Sequence, residues 1–221
     1  MIAIPPNFPE KITFNYLLDM SWDIYRENFF NYLLAAFLYV LISTLVSLIP
    51  ILGFIFVHFI FTGLVTYLNH QRLYSESNYK DIFWVFQSIK RVKTVAAISL
   101  IPIMSAIPIV FFSSLATNLD NQYVIIAIIF IPLFVYALLI SSLSIFVYVL
   151  EPIDFKKTIN RSYEIIKGHF LDLLVIFLGI IVLNILGLIS IIGVFITGPM
   201  TAIILLEFCR YLIRQFELNS I

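Results

Sequence analysis

Between Asn28 and Asn69 the chain carries no Asp, Glu, Lys or Arg, and the same holds from Leu173 to Leu206. Residues 94–119 and 121–150 are also free of these residue types, separated only by Asp120. A helix needs about 20 apolar residues to cross the hydrocarbon core of a bilayer. The first window is therefore long enough for two crossings, with a turn at IPILG, where Pro50 and Gly53 lie. The window 173–206 holds two if flanking residues contribute, with a turn near Ser190 and Gly193. Six helices are expected, over 29–48, 51–71, 94–116, 123–149, 170–189 and 191–213. The apolar runs are continuous rather than alternating, which argues against spanning strands. The expected fold is an all-α, polytopic membrane protein: one transmembrane domain over 1–221 with six transmembrane helices.

Composition agrees. Of 221 residues, 62% are hydrophobic and 12% charged, where a soluble domain is about half apolar and about a quarter charged. A chain of this length keeps too much surface exposed to hide that excess in a water-soluble core. The formal net charge is zero, so nucleic-acid binding has no electrostatic footprint. Cys209 is the single cysteine, which excludes an intrachain disulfide framework. The start, MIAIPPNFPEK, has no basic region ahead of an apolar stretch, so no cleavable signal is expected.

Orientation follows from the cations. All thirteen Lys and Arg fall in four places. These are the N-terminal segment (Lys11, Arg26), the second connection (Arg72, Lys80, Lys90, Arg91, Lys93), the fourth (Lys156, Lys157, Arg161, Lys167) and the C-terminal end (Arg210, Arg214). With six crossings these regions share one side, and the positive-inside rule makes that side cytoplasmic. Both termini are then cytoplasmic, as in a multi-pass protein of a bacterial inner membrane. Every acid except Asp120 shares that side.

Three segments ahead of helices 1, 3 and 5 have helical apolar periodicity. In 11–27, Phe14, Leu17, Leu18, Ile24 and Tyr25 share a face opposite Asn15, Asp19, Asp23 and Arg26. In 81–92 the face is Ile82, Val85, Phe86, Ile89 and Val92; in 155–167 it is Phe155, Ile159, Tyr163 and Ile166. Trp22 and Trp84 sit in these segments, as amphipathic rings do at a membrane interface. The segments read as amphipathic interfacial helices. The chain also matches itself. SWDIYRENFFNYLL (21–34) aligns with SYEIIKGHFLDLLV (162–175), and ILGFIF (51–56) with IIGVFI (191–196). Both copies begin on the same side, so the internal repeat is parallel, as for copies related by an axis along the membrane normal. Three sub-units follow, 11–73, 81–149 and 155–214, each an amphipathic helix plus a helical hairpin.

The repeated pattern Ser/Thr-Trp/Tyr-x-x-x-Lys/Arg-x-x-Phe, at Ser21 to Phe29 and Ser162 to Phe170, together with IIGVFITGP running into EFCRYLI, resembles a broad group of bacterial six-helix membrane proteins of unknown function. That group includes the domain-of-unknown-function 975 type, the YciC-like type and the membrane domain attached to some glycerophosphodiester phosphodiesterases. The resemblance implies an all-helical inner-membrane protein without established catalytic residues. The phosphodiesterase domain has no counterpart in these residues, so its activity does not carry over.

Polar residues inside spans are functional candidates by default. His58 lies about 10 Å in from the outer end at 1.5 Å per residue. Ser43, Asn184 and Thr197 fall at a similar depth, and Pro199 frees the carbonyl of Phe195 in the same region. Ser43, His58, Asn184, Thr197 and Pro199 are therefore expected to converge on a small polar pocket, or else to stabilise the bundle by interhelical hydrogen bonds. Gly198 and Ala202 form a small-xxx-small pair suited to a close neighbouring helix, which could also satisfy the freed carbonyl. Glu207 lies about 24 Å from the outer end, near the cytoplasmic boundary, with Arg210 three residues on as its ion-pair partner. It is expected to snorkel toward water. Pro102, Pro108 and Pro132 predict kinks in spans three and four. Ala137, Ser141, Ser142 and Ser144 give span four a close-packing face.

No catalytic motif is present: no G-x-S-x-G, no H-E-x-x-H, no Gly-rich phosphate loop. His58, His70 and His169 fall at different depths, so no metal site is expected, and no cofactor. Cys209 reads as a packing residue. The expected function is non-enzymatic: structural, partner-binding or membrane-protective, with membrane lipids and a second membrane protein or a second copy as partners. The alternative is a transporter or channel handling a lipid or a small apolar or amphipathic solute. The scarcity of charge in the spans argues against an ion-driven pump.

Overall fold

The computed structural model describes residues 12–49, 52–74, 78–118, 122–189 and 191–218. Among these residues there is no strand. The helices follow in order: α1 (Phe14–Glu27), α2 (Phe29–Ser47), α3 (Leu52–Tyr74), α4 (Ile89–Asn118), α5 (Gln122–Ile129), α6 (Ile131–Leu150), α7 (Phe155–Leu188) and α8 (Ile191–Leu218). A 3-10 helix, Tyr79–Gln87, stands between α3 and α4. Six segments are long and apolar enough to cross a bilayer, with α5 and α6 making one of them. The chain is an all-α polytopic membrane protein. The turn residues Pro50 and Ser190, along with Lys11 and Asp120, lie outside the described residues.

Packing sorts the spans into an inner and an outer set. α3, α6 and α8 touch one another and form the centre. In the most apolar stretches of α3 and α8, 61% and 78% of residues are buried, against 17% in α2. α2, α4 and α7 lie outside them. Each outer helix packs on the inner helix of its own hairpin and on that of a neighbour: α2 on α3 and α8, α4 on α6 and α3, α7 on α8 and α6. The order closes on itself. The segment before each hairpin repeats the pattern, with α1 against α8, the 3-10 helix against α3, and the first part of α7 against α6.

Local chemistry sets these segments. The Thr13 hydroxyl caps α1 by accepting from the Tyr16 N–H at 3.3 Å. The buried stripe of α1 is Leu17, Ser21, Ile24 and Tyr25. Asn28 then leaves helical geometry at φ −130°, ψ 40°, and α2 begins. The residue aligned with it in the sequence match, His169, does the same at φ −133°, ψ 30°, inside α7. The expected helix over 81–92 is two elements instead. Asn78 and Asp81 make a reciprocal capping box that starts the 3-10 helix, and extended Ser88 ends it. The predicted face is split: Ile82 and Val85 are buried, while Phe86 and Ile89 are exposed. Trp84 is also buried, against the expectation of an interfacial ring; its indole lies under the Arg91 guanidinium at 4.1 Å. In the first part of α7 the buried side is Thr158, Ser162, Ile165 and Ile166, and the predicted Phe155 and Tyr163 are exposed. Small hydroxyls turn inward because they satisfy themselves locally: Thr158 donates to the Asp154 carbonyl and Ser162 to that of Thr158. Their size lets α6 approach until Ser144 Oγ donates to Ser162 Oγ at 2.9 Å.

The prolines act unequally. Pro102 and Pro108 are accommodated inside α4, which runs on as one helix. Pro132 is not: the fourth span breaks at Phe130, and α6 restarts with Pro132 in its first turn. There its missing N–H costs nothing, because the first turn has no acceptor for it. Ser141 Oγ reaches across to the Ile98 carbonyl on α4 at 3.0 Å.

Candidate functional site

Three of the outer polar residues, His58, Asn184 and Thr197, are engaged locally. His58, half-buried on α3, has Nδ1 2.9 Å from the Phe54 carbonyl one turn back and its ring 4.3 Å from the Phe54 ring. Asn184 on α7 donates through Nδ2 to the Ile180 carbonyl and to Thr201 Oγ1 on α8, both at 2.9 Å. Thr197 is buried against Gly187, where a Cβ would lie 2.2 Å from the Thr197 hydroxyl. Asn184 and Thr197 thus both serve the α7–α8 seam, and Thr201 is a partner that the sequence reading missed. Ser43 is half-buried on α2. Among the described residues, no hydrogen bond joins any two of Ser43, His58, Asn184 and Thr197.

Pro199 is buried within α8, and the carbonyl it frees, that of Phe195, has a partner: the Tyr25 hydroxyl of α1 at 3.4 Å. Burial pushes the Tyr25 phenol above its ordinary range. Of the small-residue pair, Ala202 is buried, while at Gly198 a side chain would meet no atom of the described residues within 4 Å. The close approach to α8 falls one residue earlier, where Thr197 rests on Gly187.

The densest polar group lies where α3 meets α8. Glu207 and Arg210 pair along one face of α8, three residues apart. Neither snorkels to water: relative exposures are 0% for Glu207 and 1% for Arg210. The other end of the Arg210 guanidinium donates to Asn69 Oδ1 on α3. One turn along α3, Arg72 Nε stands 3.9 Å from Glu207 Oε1. Gln71 Nε2 donates to Asn28 Oδ1 at 3.1 Å, tying the α1–α2 junction to the same end of α3. Two guanidiniums thus flank one carboxylate, that of Arg210 buried with it and that of Arg72 32% exposed. Glu207 Oε2 and Arg210 Nε have no hydrogen-bond partner among the described residues. The sequence reading placed Arg72 in a connection and overlooked Asn69. Their signal was spacing: Asn69 and Arg72 are three apart on α3, as Glu207 and Arg210 are on α8.

The remaining titratable groups stand apart. His70 pairs with Asp81 at 3.0 Å and His169 with Asp172 at 3.5 Å. Burial pushes the Glu151 carboxyl up, with the Arg161 guanidinium 3.8 Å away opposing it. Among the described residues no three His, Cys, Asp or Glu side chains are grouped to hold a metal ion. Cys209 is wholly buried.

The fold and this interior define an integral membrane protein whose inner helices are cross-linked by buried charge. Comparison with family models, curated proteins and solved structures finds no match.

Proposed function

We propose that this chain is a non-enzymatic structural or partner-binding protein of a bacterial inner membrane, with both termini in the cytoplasm. The observation that carries the reading is the use to which the polar groups between its helices are put. Glu207, Arg210, Asn69 and Arg72 lock α3 to α8, and Asn184 with Thr201 locks α7 to α8. Polar groups spent on helix–helix contacts favour a static bundle over one with a moving polar path. The resemblance to the domain-of-unknown-function 975 and YciC-like group supports the same setting, and the one-sided placement of all thirteen cations supports the orientation.

A transport reading has one observation in its favour. A groove of about 750 Å³ opens on α4 and α6, lined by Phe54, Pro102, Ile107, Phe111, Phe134 and Leu138. Its lining is apolar, so the solute would be a lipid or another apolar molecule. Purified protein in liposomes separates the two readings. The structural reading expects flux of a fluorescent lysophospholipid equal to that of empty liposomes, and cross-linking in native membranes to an assembly larger than the 25.5 kDa chain. Protein-dependent flux of the lysophospholipid would overturn it.

A further inference from the structure

The two non-helical junctions at Asn28 and His169 share backbone geometry but differ in what surrounds them. At Asn28 the side-chain Oδ1 accepts a hydrogen bond from Gln71 Nε2 at 3.1 Å. At His169 a crevice of about 520 Å³ stays open, walled by Leu212 and Phe216 of α8 and by Glu164, Lys167, Gly168 and His169 of α7. Glu164 and Lys167 are three residues apart, a spacing at which opposite charges pair on a helix. Neither makes an ion pair with the other or with any other described residue. They are exposed and stand on the rim of the crevice with opposite charge. Gly168 borders it, and a Cβ there would meet no atom of the described residues within 4 Å. Immediately beyond the break, α7 turns an apolar track outward: Leu171, Val175 and Leu178 are each more than half exposed.

We infer that this crevice binds the headgroup of an ethanolamine glycerophospholipid. The phosphate pairs with Lys167 and the primary ammonium with Glu164, while the acyl chains follow the track along α7. The zwitterion presents its two charges a few ångströms apart, the scale of the Glu164–Lys167 spacing on the helix. A primary ammonium donates hydrogen bonds to a carboxylate, which the trimethylated choline headgroup cannot do. A glycerol headgroup has no cation to offer Glu164. The adjoining apolar track selects the lipid over a free phosphoamine, because each buried methylene of the chains adds affinity.

The test is native mass spectrometry of the full-length protein in mild detergent with an equimolar mixture of dioleoyl phosphatidylethanolamine, phosphatidylcholine and phosphatidylglycerol. Ethanolamine lipid is expected to be retained about tenfold over either competitor, the ratio that one lost charge-assisted contact gives. Glu164→Gln should bring ethanolamine and choline lipids to parity. Lys167→Gln should lower retention of all three. Gly168→Leu, which fills the crevice, should bring ethanolamine lipid down to the choline level. Equal retention of the three lipids by the unaltered protein would overturn the inference, and so would an undiminished ethanolamine preference in Gly168→Leu. Lys167 is exposed, so its substitution keeps the test decisive should Gly168→Leu fail to fold.

Discussion

An ion pair in a low-dielectric interior is held by its geometry, and removing one partner leaves the other charge uncompensated. Glu207 is in that position, with Arg210 beside it and Arg72 across the α3–α8 contact. Glu207→Gln should lower stability by about 3–5 kcal/mol, the range for breaking one side of a buried pair, seen as a drop in thermal midpoint in detergent. Glu207→Leu combined with Arg210→Met should cost less than the sum of the two single changes, because neither charge is then stranded. Additive losses in that cycle would mean that the pair carries no coupling. The Glu207–Arg210 spacing was readable in the sequence, since i and i+3 share a helix face. Its depth of burial was not, because that depends on α3 arriving with Asn69 and Arg72 from far along the chain. Tyr25 was hidden for the same reason: a freed carbonyl can be foreseen from Pro199, but its donor comes from α1.

At the scale of elements, two glycines should behave oppositely. A Cβ at Gly63 on α3 would lie 1.8 Å from the Ile82 carbonyl oxygen of the 3-10 helix. Gly63→Ala must therefore push backbone away from backbone, at a cost of about 1–3 kcal/mol or more. Gly198→Ala in α8 meets no atom of the described residues within 4 Å and should be neutral or stabilising by up to about 1 kcal/mol, since alanine is the better helix former. Thermal midpoints of the two variants check both signs. The charge-free windows were enough to foresee six spans, because crossing hydrocarbon imposes a length and forbids charge. Periodicity was a weaker guide where the helix type changed. Over 81–92 it could not register that Ser88 is extended, although the Asn78 and Asp81 capping box was legible in the sequence. In 155–167 it favoured the largest apolar side chains, whereas close packing against α6 selected Thr158 and Ser162.

At the scale of the whole molecule, the proposed orientation makes a direct prediction. Cys209 is wholly buried, so the native chain should resist a membrane-impermeant maleimide. Ile189→Cys introduces a thiol at an exposed position by the α7–α8 turn and should label in intact cells. Lys156→Cys, at the start of α7, should label only after the membrane is opened. The reverse pattern would turn the molecule over. The cyclic packing order has a consequence for how the protein is made. α8 is the inner helix against which both α1 and α2 rest, yet it leaves the ribosome after α1 to α7. α1 must wait through the insertion of α2 to α7, with Leu17, Ile24 and Tyr25 lacking their final neighbours. A nascent chain stalled before the α7–α8 hairpin would therefore present that stripe to chaperones and proteases, making completion of the ring a natural checkpoint on assembly.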